Sequence, residues 1–258
     1  MGTILAIANQ KGGVGKTTTA INLSASLGMA DQRVLLVDSD PQGNSTSGFN
    51  IRDVAEGYTL YELLLSKRTL EEIRRPTEVP GVDLVPATTA LVGAEIDLIQ
   101  INGRERALKQ SLETALAQYD YIVIDCPPSL GLLTLNALTA ADGVLIPVQC
   151  EYYAMEGLNQ LLKTIEMIRE TYNPDLKIQG ILLTLFDGRN RLAHQVADEI
   201  RKHFPHKVYR SVIPRNVSLA EAPSYGKPAL LYNIGSTGAQ AYLNLAQETL
   251  QNGKESVG

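Results

Sequence analysis

The sequence predicts an α/β fold: a doubly wound, mostly parallel sheet flanked by helices. Three observations point there. Short apolar runs of strand length, bounded by turn residues, recur along the chain. Amphipathic stretches of helix length separate them, so strands and helices alternate as in parallel βαβ units. The first apolar run, Ile4–Ala8, breaks into Gly12, Gly13 and Gly15 and then into the helix-compatible stretch Thr17–Leu27.

Each later element follows from its own pattern. Arg33–Asp38 is a second apolar strand, and it ends on a carboxylate. Residues 39–57 hold glycine, serine, asparagine and proline and read as a long turn-rich connection. Thr59–Ser66 and Leu70–Arg74 are short helices, Val82–Val85 a strand, and Arg104–Ala117 an amphipathic helix. Tyr121–Asp125 is again a strand closing on an aspartate, followed by Cys126-Pro127-Pro128. Val144–Val148, Ile178–Leu185 and Val208–Ile213 are strands. Ala154–Thr171, Leu192–His203 and Thr237–Leu250 are helices. The expected organisation is a single domain over residues 1–251 and a polar tail over 252–258.

Composition excludes several classes. The chain has 258 residues, 44% hydrophobic and 20% charged, ordinary for a globular protein with a sizeable core. It contains no run of about 18 apolar residues, so no membrane span is expected. The N-terminus enters the first strand at once, which leaves no room for a signal peptide. Two cysteines, Cys126 and Cys150, cannot make a disulfide framework and fit a reducing cytoplasm. The net charge of −5 argues against a uniformly basic protein without excluding a local basic face.

The glycine loop carries the chemistry. A strand, a glycine turn, Lys-Thr and a helix form a phosphate cradle, because successive backbone N–H groups and the helix N-terminus converge on an anion. Lys16 is placed to reach the β- and γ-phosphates of ATP, and the Thr17 hydroxyl to ligate Mg²⁺. In such a sheet, ligands sit at strand C-termini, where Asp125 and the Asp38-Ser39-Asp40 segment also fall. Asp125 is expected to hold Mg²⁺ through a bound water. Asp38 and Asp40 lie two residues apart in an extended segment and can face the metal and an attacking water together.

Gln10 stands where the common phosphate-loop pattern G-x-x-x-x-G-K-[ST] needs its first glycine. The string Lys11-Gly12-Gly13-Val14-Gly15-Lys16-Thr17-Thr18 instead resembles the deviant Walker A motif of the ParA/MinD superfamily. The resemblance extends to Asp125–Ser129, Leu133–Ala137, Pro147–Gly157 and Val212–Ser224, which look like chromosomal ParA (Soj) proteins. It implies a P-loop ATPase with weak intrinsic turnover, cytoplasmic and associated with the nucleoid. Its ATP-bound homodimer would bind double-stranded DNA non-specifically, and a ParB-type centromere-binding or adaptor protein would stimulate hydrolysis and release it. By the same resemblance, Lys11 reaches across the dimer into the partner's nucleotide and Asp40 positions the hydrolytic water. Asp38 lies nearer the Mg²⁺ shell, and Pro214, Arg215 and Asn216 lie near the adenine and ribose.

The residues themselves support a DNA face. Between 187 and 215 stand seven Lys/Arg (Arg189, Arg191, Arg201, Lys202, Lys207, Arg210 and Arg215) against three acids. That segment is +4 and leaves −9 for the rest of the chain, a basic stripe on an acidic protein. Arg189 matches a DNA-contact arginine of the resembled proteins, and Ser218 stands where those proteins carry a second such arginine, a departure that lowers the expected affinity or shifts the load to Arg191, Lys202 and Lys207. Two alternatives belong to the same superfamily. A MinD-like membrane-cycling ATPase needs a basic amphipathic C-terminal helix, yet residues 237–258 contain one lysine and no arginine. A P-loop enzyme of cofactor biosynthesis needs a substrate pocket that the sequence does not advertise. An iron–sulfur role for Cys126 and Cys150 is set against their reading as small packed hydrophobes.

Overall fold

The computed structural model describes residues 2–255. Its elements begin with β1 (Thr3–Ile7), α1 (Lys16–Met29), β2 (Val34–Asp38), α2 (Asn44–Gly48), α3 (Leu60–Leu64), α4 (Leu70–Ile73) and β3 (Arg75–Pro76). They continue with β4 (Val82–Val85), α5 (Leu91–Asp97), α6 (Ala107–Leu112), β5 (Tyr121–Asp125), α7 (Leu132–Ala140), β6 (Gly143–Gln149) and α8 (Ala154–Thr171). The chain closes with β7 (Lys177–Phe186), α9 (Arg191–His203), β8 (Val208–Pro214), α10 (Val217–Glu221), α11 (Ala229–Asn233) and α12 (Thr237–Glu255).

The strands form one sheet in the order β3-β4-β2-β5-β1-β6-β7-β8, parallel except for the two-residue edge strand β3. Side chains alternate across each strand, and both faces are covered, which is why the strands read as continuous apolar runs. Ile4, Ala6, Leu35, Val37, Ile122 and Ile124 enter one core with α3 to α9. Leu5, Ile7, Leu36 and Val123 enter the other with α1 and α12, whose Tyr242 and Leu245 are buried there. β1 lies between β5 and β6, and the chain winds outward from it in both directions. That reversal opens a crevice at the C-terminal ends of β1, β2 and β5, where the loop and both strand-end aspartates converge.

All seven expected strands form, and β3 is added. The expected helix over 104–117 is broken into 3₁₀ turns around α6. The Asn136 side chain accepts from the Leu108 N–H (3.1 Å) and donates to the Arg104 carbonyl (2.9 Å). Those are the two groups an uninterrupted helix would join to each other. The connection over 39–57 contains α2, and α5, α7, α10 and α11 were not anticipated. α7 shows no polar face because Leu133 to Ala140 are buried almost throughout, so it carries no helical periodicity. α12 continues through Glu255, so residues 252–255 of the expected tail are helical, and the rest of that tail lies outside the described residues.

Candidate active site

The loop between β1 and α1 is held from three sides. Asn9 donates to the Pro147 carbonyl (2.7 Å) and accepts the Lys11 N–H (3.0 Å), while the Thr184 hydroxyl donates to the Val14 carbonyl (2.8 Å). Gly13 and Gly15 have φ of 73° and 87°, a left-handed conformation that side chains resist. Space is not the constraint, since a Cβ at Gly13 would meet nothing within 4 Å and one at Gly15 only Thr184 at 3.9 Å. Gly12 has neither the dihedral nor a neighbour that requires glycine. The first turn of α1, Lys16-Thr17-Thr18, points N–H groups with no intrahelical acceptor into the loop. Lys16 is buried, which lowers its pKa, while Asp125 and Asp40 pull it back up. Its ammonium donates to the Lys11 carbonyl (3.3 Å).

Asp38 and Asp125 end adjacent strands in register, and both are fully buried. Burial pushes both carboxyls above the ordinary range, and for Asp125 the neighbouring Asp38 charge adds to it. Their hydrogen bonds separate their roles. Asp38 Oδ2 accepts from the Thr46 N–H (2.8 Å) and hydroxyl (2.7 Å), and Oδ1 from the Asp40 N–H (3.3 Å). Asp125 Oδ2 accepts from the Ser45 hydroxyl (2.8 Å), but Oδ1 has no partner. The Thr17 hydroxyl lies close enough to pull Asp125 down without a well-formed bond. A buried carboxylate oxygen with no hydrogen-bond partner, beside a threonine hydroxyl, is a hard-donor environment, and a magnesium ion fits it. Among the described residues no three His, Cys, Asp or Glu form a closed metal cage. Asp40 is nearly buried, and its Oδ1 accepts the Gln42 N–H (2.9 Å).

Beside the loop lies a slot of about 210 Å³ lined by Gly15, Thr18, Thr184, Ile213, Asn216 and Leu219. Its mostly apolar wall suits a planar ring. Of the three residues expected near an adenine, the structure places Asn216 on this wall. Pro214 ends β8 beside it, and Arg215 is exposed with its N–H on the Phe186 carbonyl (3.1 Å).

The basic residues do not form one patch. Arg189 and Arg191 stand at the N-terminal end of α9, near the sheet edge that carries the loop, whereas Lys202 is in its last turn and Lys207 precedes β8. Thirteen helical residues span about 20 Å, so the four divide between opposite ends of the molecule. Arg189 is also engaged by Asp187 through two nitrogens at 2.9 Å. Residues absent from the sequence reading complete the site: Ser45 and Thr46, which hold the aspartates, and Glu151, which meets the Lys11 ammonium at 2.6 Å. The Ser-Thr pair after Gly43, at a helix start, was the one available signal.

A family model described as an AAA domain matches residues 2–178. The chain is 55% identical to the chromosome partitioning protein ParA of Myxococcus xanthus (strain DK1622), over 97% of this chain and 89% of that protein. It is also 55% identical to the sporulation initiation inhibitor protein Soj of Bacillus subtilis (strain 168), over 98% of this chain and 100% of that protein. A solved structure of cobyrinic acid a,c-diamide synthase from Mycobacterium smegmatis, with bound ADP and magnesium, superposes with a TM-score of 0.86. It shares 39% identity, over 99% of this chain and 97% of that one. Loop, strand-end aspartates and full-length similarity agree: this chain belongs to the ParA/MinD superfamily of P-loop ATPases, among the chromosomal ParA/Soj proteins.

Proposed function

We propose that the chain is a cytoplasmic partition ATPase in which ATP binding joins two copies, the dimer holds DNA without sequence preference, and hydrolysis separates them. The observation that carries this reading is the crevice itself. An anion cradle opens at its mouth with Lys11 exposed, and a buried carboxylate pair, with Asp125 Oδ1 unpartnered, lies at its floor. Lys16 and the N–H groups of Gly12 to Thr18 would hold the phosphates. Thr17 and Asp125 would hold Mg²⁺, with Asp38 behind them fixing the shell. Asp40 would orient the attacking water, and Lys11 would stabilise charge developing on the partner copy's γ-phosphate. When bound, the ion would supply charge neutralisation for the phosphates. Asn216 and the apolar slot would take the base.

Turnover in such a site is expected to be slow until a ParB-type partner binds. The synthase among the structural neighbours shares 39% identity against 55% for the two partition relatives, and the partition reading is retained. No helix among the described residues is long and apolar enough to cross a membrane. The test is DNA binding with ATP against ADP across a salt series. Retention with ATP that falls steeply with salt, and little retention with ADP, is the expected result. Equal retention with both nucleotides would overturn the reading.

A further inference from the structure

Two arginines distant in the sequence meet at one carboxylate. β7 and β8 are neighbours in the sheet, with Phe186 in register with Pro214, and the Arg215 N–H donates to the Phe186 carbonyl (3.1 Å). Asp187 and Arg215 therefore leave the sheet side by side, at the C-terminal strand ends where the phosphate loop also lies. Asp187 Oδ1 accepts from Arg189 Nε and Oδ2 from Nη2, each at 2.9 Å, and Oδ1 also accepts the Arg189 N–H at 3.1 Å. We infer that Arg215 is a DNA-contact residue: with Arg189 it forms a two-guanidinium grip on backbone phosphate, built around Asp187, and its side chain does not serve the nucleotide base. The inference rests on the DNA-binding reading above.

Three features support it. Ile213 and Asn216 line the base slot, whereas Arg215, between them in the chain, does not. Arg215 is exposed, and its guanidinium has no hydrogen-bond partner among the described residues, so its donors are open to an acceptor from outside. The second feature is charge. The Arg189 hydrogen bonds hold the Asp187 carboxyl down to about 2, and the Arg215 charge acts in the same direction. Asp187 thus stays ionised and offsets the repulsion between two neighbouring guanidinium groups, yet one carboxylate against two cations leaves the cluster positive. The third is rigidity. The Asn190 N–H donates to the Asp187 carbonyl (3.0 Å), His194 Nε2 lies 2.9 Å from the Gly188 carbonyl oxygen, and the His194 ring packs edge-on against Phe186 at 5.1 Å. Arg189 itself is 91% exposed but pinned at Nε and Nη2, which leaves Nη1 without a partner among the described residues. Side chains presented from so braced a loop lose little freedom when they bind.

DNA-binding isotherms of the full chain across a salt series, with Mg²⁺ and a non-hydrolysable ATP analogue, test this. Arg215→Ala should lower the salt slope by about 1 per protomer. Its affinity for the analogue, titrated without DNA, and its sedimentation with the analogue should match the wild type. Arg215→Lys keeps the cation and should keep the slope. An Arg215→Ala protein with the wild-type slope overturns the inference, and so does an Arg215→Lys protein whose slope falls as far as the alanine variant's. An Arg215→Ala protein that loses analogue affinity returns the side chain to the base, and one that sediments differently assigns it to assembly; either result overturns the inference alone. A wild type that retains no DNA with the analogue overturns the DNA-binding reading beneath it.

Discussion

Asp125 and Asp38 occupy equivalent places at two strand ends, yet their hydrogen bonds differ. Every Asp38 oxygen is engaged, while Asp125 Oδ1 faces the site with nothing to accept. A carboxyl whose folded-state pKa lies above its unfolded value favours the protonated form in the fold. It therefore destabilises the nucleotide-free protein once pH exceeds the unfolded value, fully so above the folded one. Asp125→Asn removes that cost and keeps an acceptor for Ser45. The variant should melt higher at pH 8 without nucleotide, by about 2–4 °C for each kcal/mol relieved. The gain should shrink toward pH 5, and Mg²⁺-dependent hydrolysis should be lost. Scanning calorimetry against pH checks this, and a lower melting temperature would show that Asp125 stabilises the empty fold. Both aspartates were legible because an apolar strand that ends on a carboxylate marks the ligand edge of a parallel sheet. Their holders were not. Ser45 reaches Asp125 from 80 residues away and Glu151 reaches Lys11 from 140, and no local pattern encodes such pairs.

The glycine loop was the most readable element because its requirements are local. The structure separates the reasons for its glycines. Gly15→Ala forces a methyl-bearing residue to a φ of 87° and should cost about 1 kcal/mol or more. Gly12→Ala meets no dihedral penalty and no neighbour within 4 Å, so its stability should stay within about 0.5 kcal/mol of the wild type. Its ATP affinity should nonetheless fall, because on the proposed reading the phosphates would lie against this loop. Denaturant melts paired with nucleotide titration distinguish the two, and a Gly12→Ala protein with full affinity would remove phosphate contact from that position. Elements shaped by distant contacts were harder to read, as α6 shows where Asn136 interrupts it. α9 was read correctly as a helix but not as a spacer. It carries Arg189 and Arg191 at one end and Lys202 at the other, so a single DNA face along it becomes two candidate ends. Replacing Arg189 and Arg191 with Glu should lower the salt slope of DNA binding by about 2 per protomer while ATP affinity holds. The corresponding change at Lys202 and Lys207 should have a smaller effect, because those residues stand away from the edge on which the proposed dimer would form. Binding isotherms at several salt concentrations decide between the ends, and an unchanged slope in the arginine variant would move the DNA surface elsewhere.

At the scale of the whole molecule, one sheet edge gathers the loop, the aspartates, the Lys11–Glu151 pair and the arginine end of α9. Two copies meeting on that edge would bring four exposed arginines onto one composite surface. Joining them raises DNA affinity without any new contact type, since the second protomer binds at the effective concentration set by the first. Nucleotide would then gate DNA binding through assembly. By linkage, a ligand touched by both copies must favour the dimer, and the dimer must favour the ligand by the same factor. On the proposed reading, Lys11→Ala deletes the cross-copy contact and leaves Lys16 and the loop N–H groups in place. The variant should bind ATP with affinity within a few-fold of the isolated protomer's, sediment as a monomer with or without nucleotide, and lose ATP-dependent DNA retention together with partner-stimulated turnover. Sedimentation velocity, nucleotide titration and DNA binding on one preparation separate these effects. A Lys11→Ala protein that still dimerises with ATP would mean the copies meet through other residues, and a wild type that holds DNA as a monomer would detach DNA binding from assembly altogether.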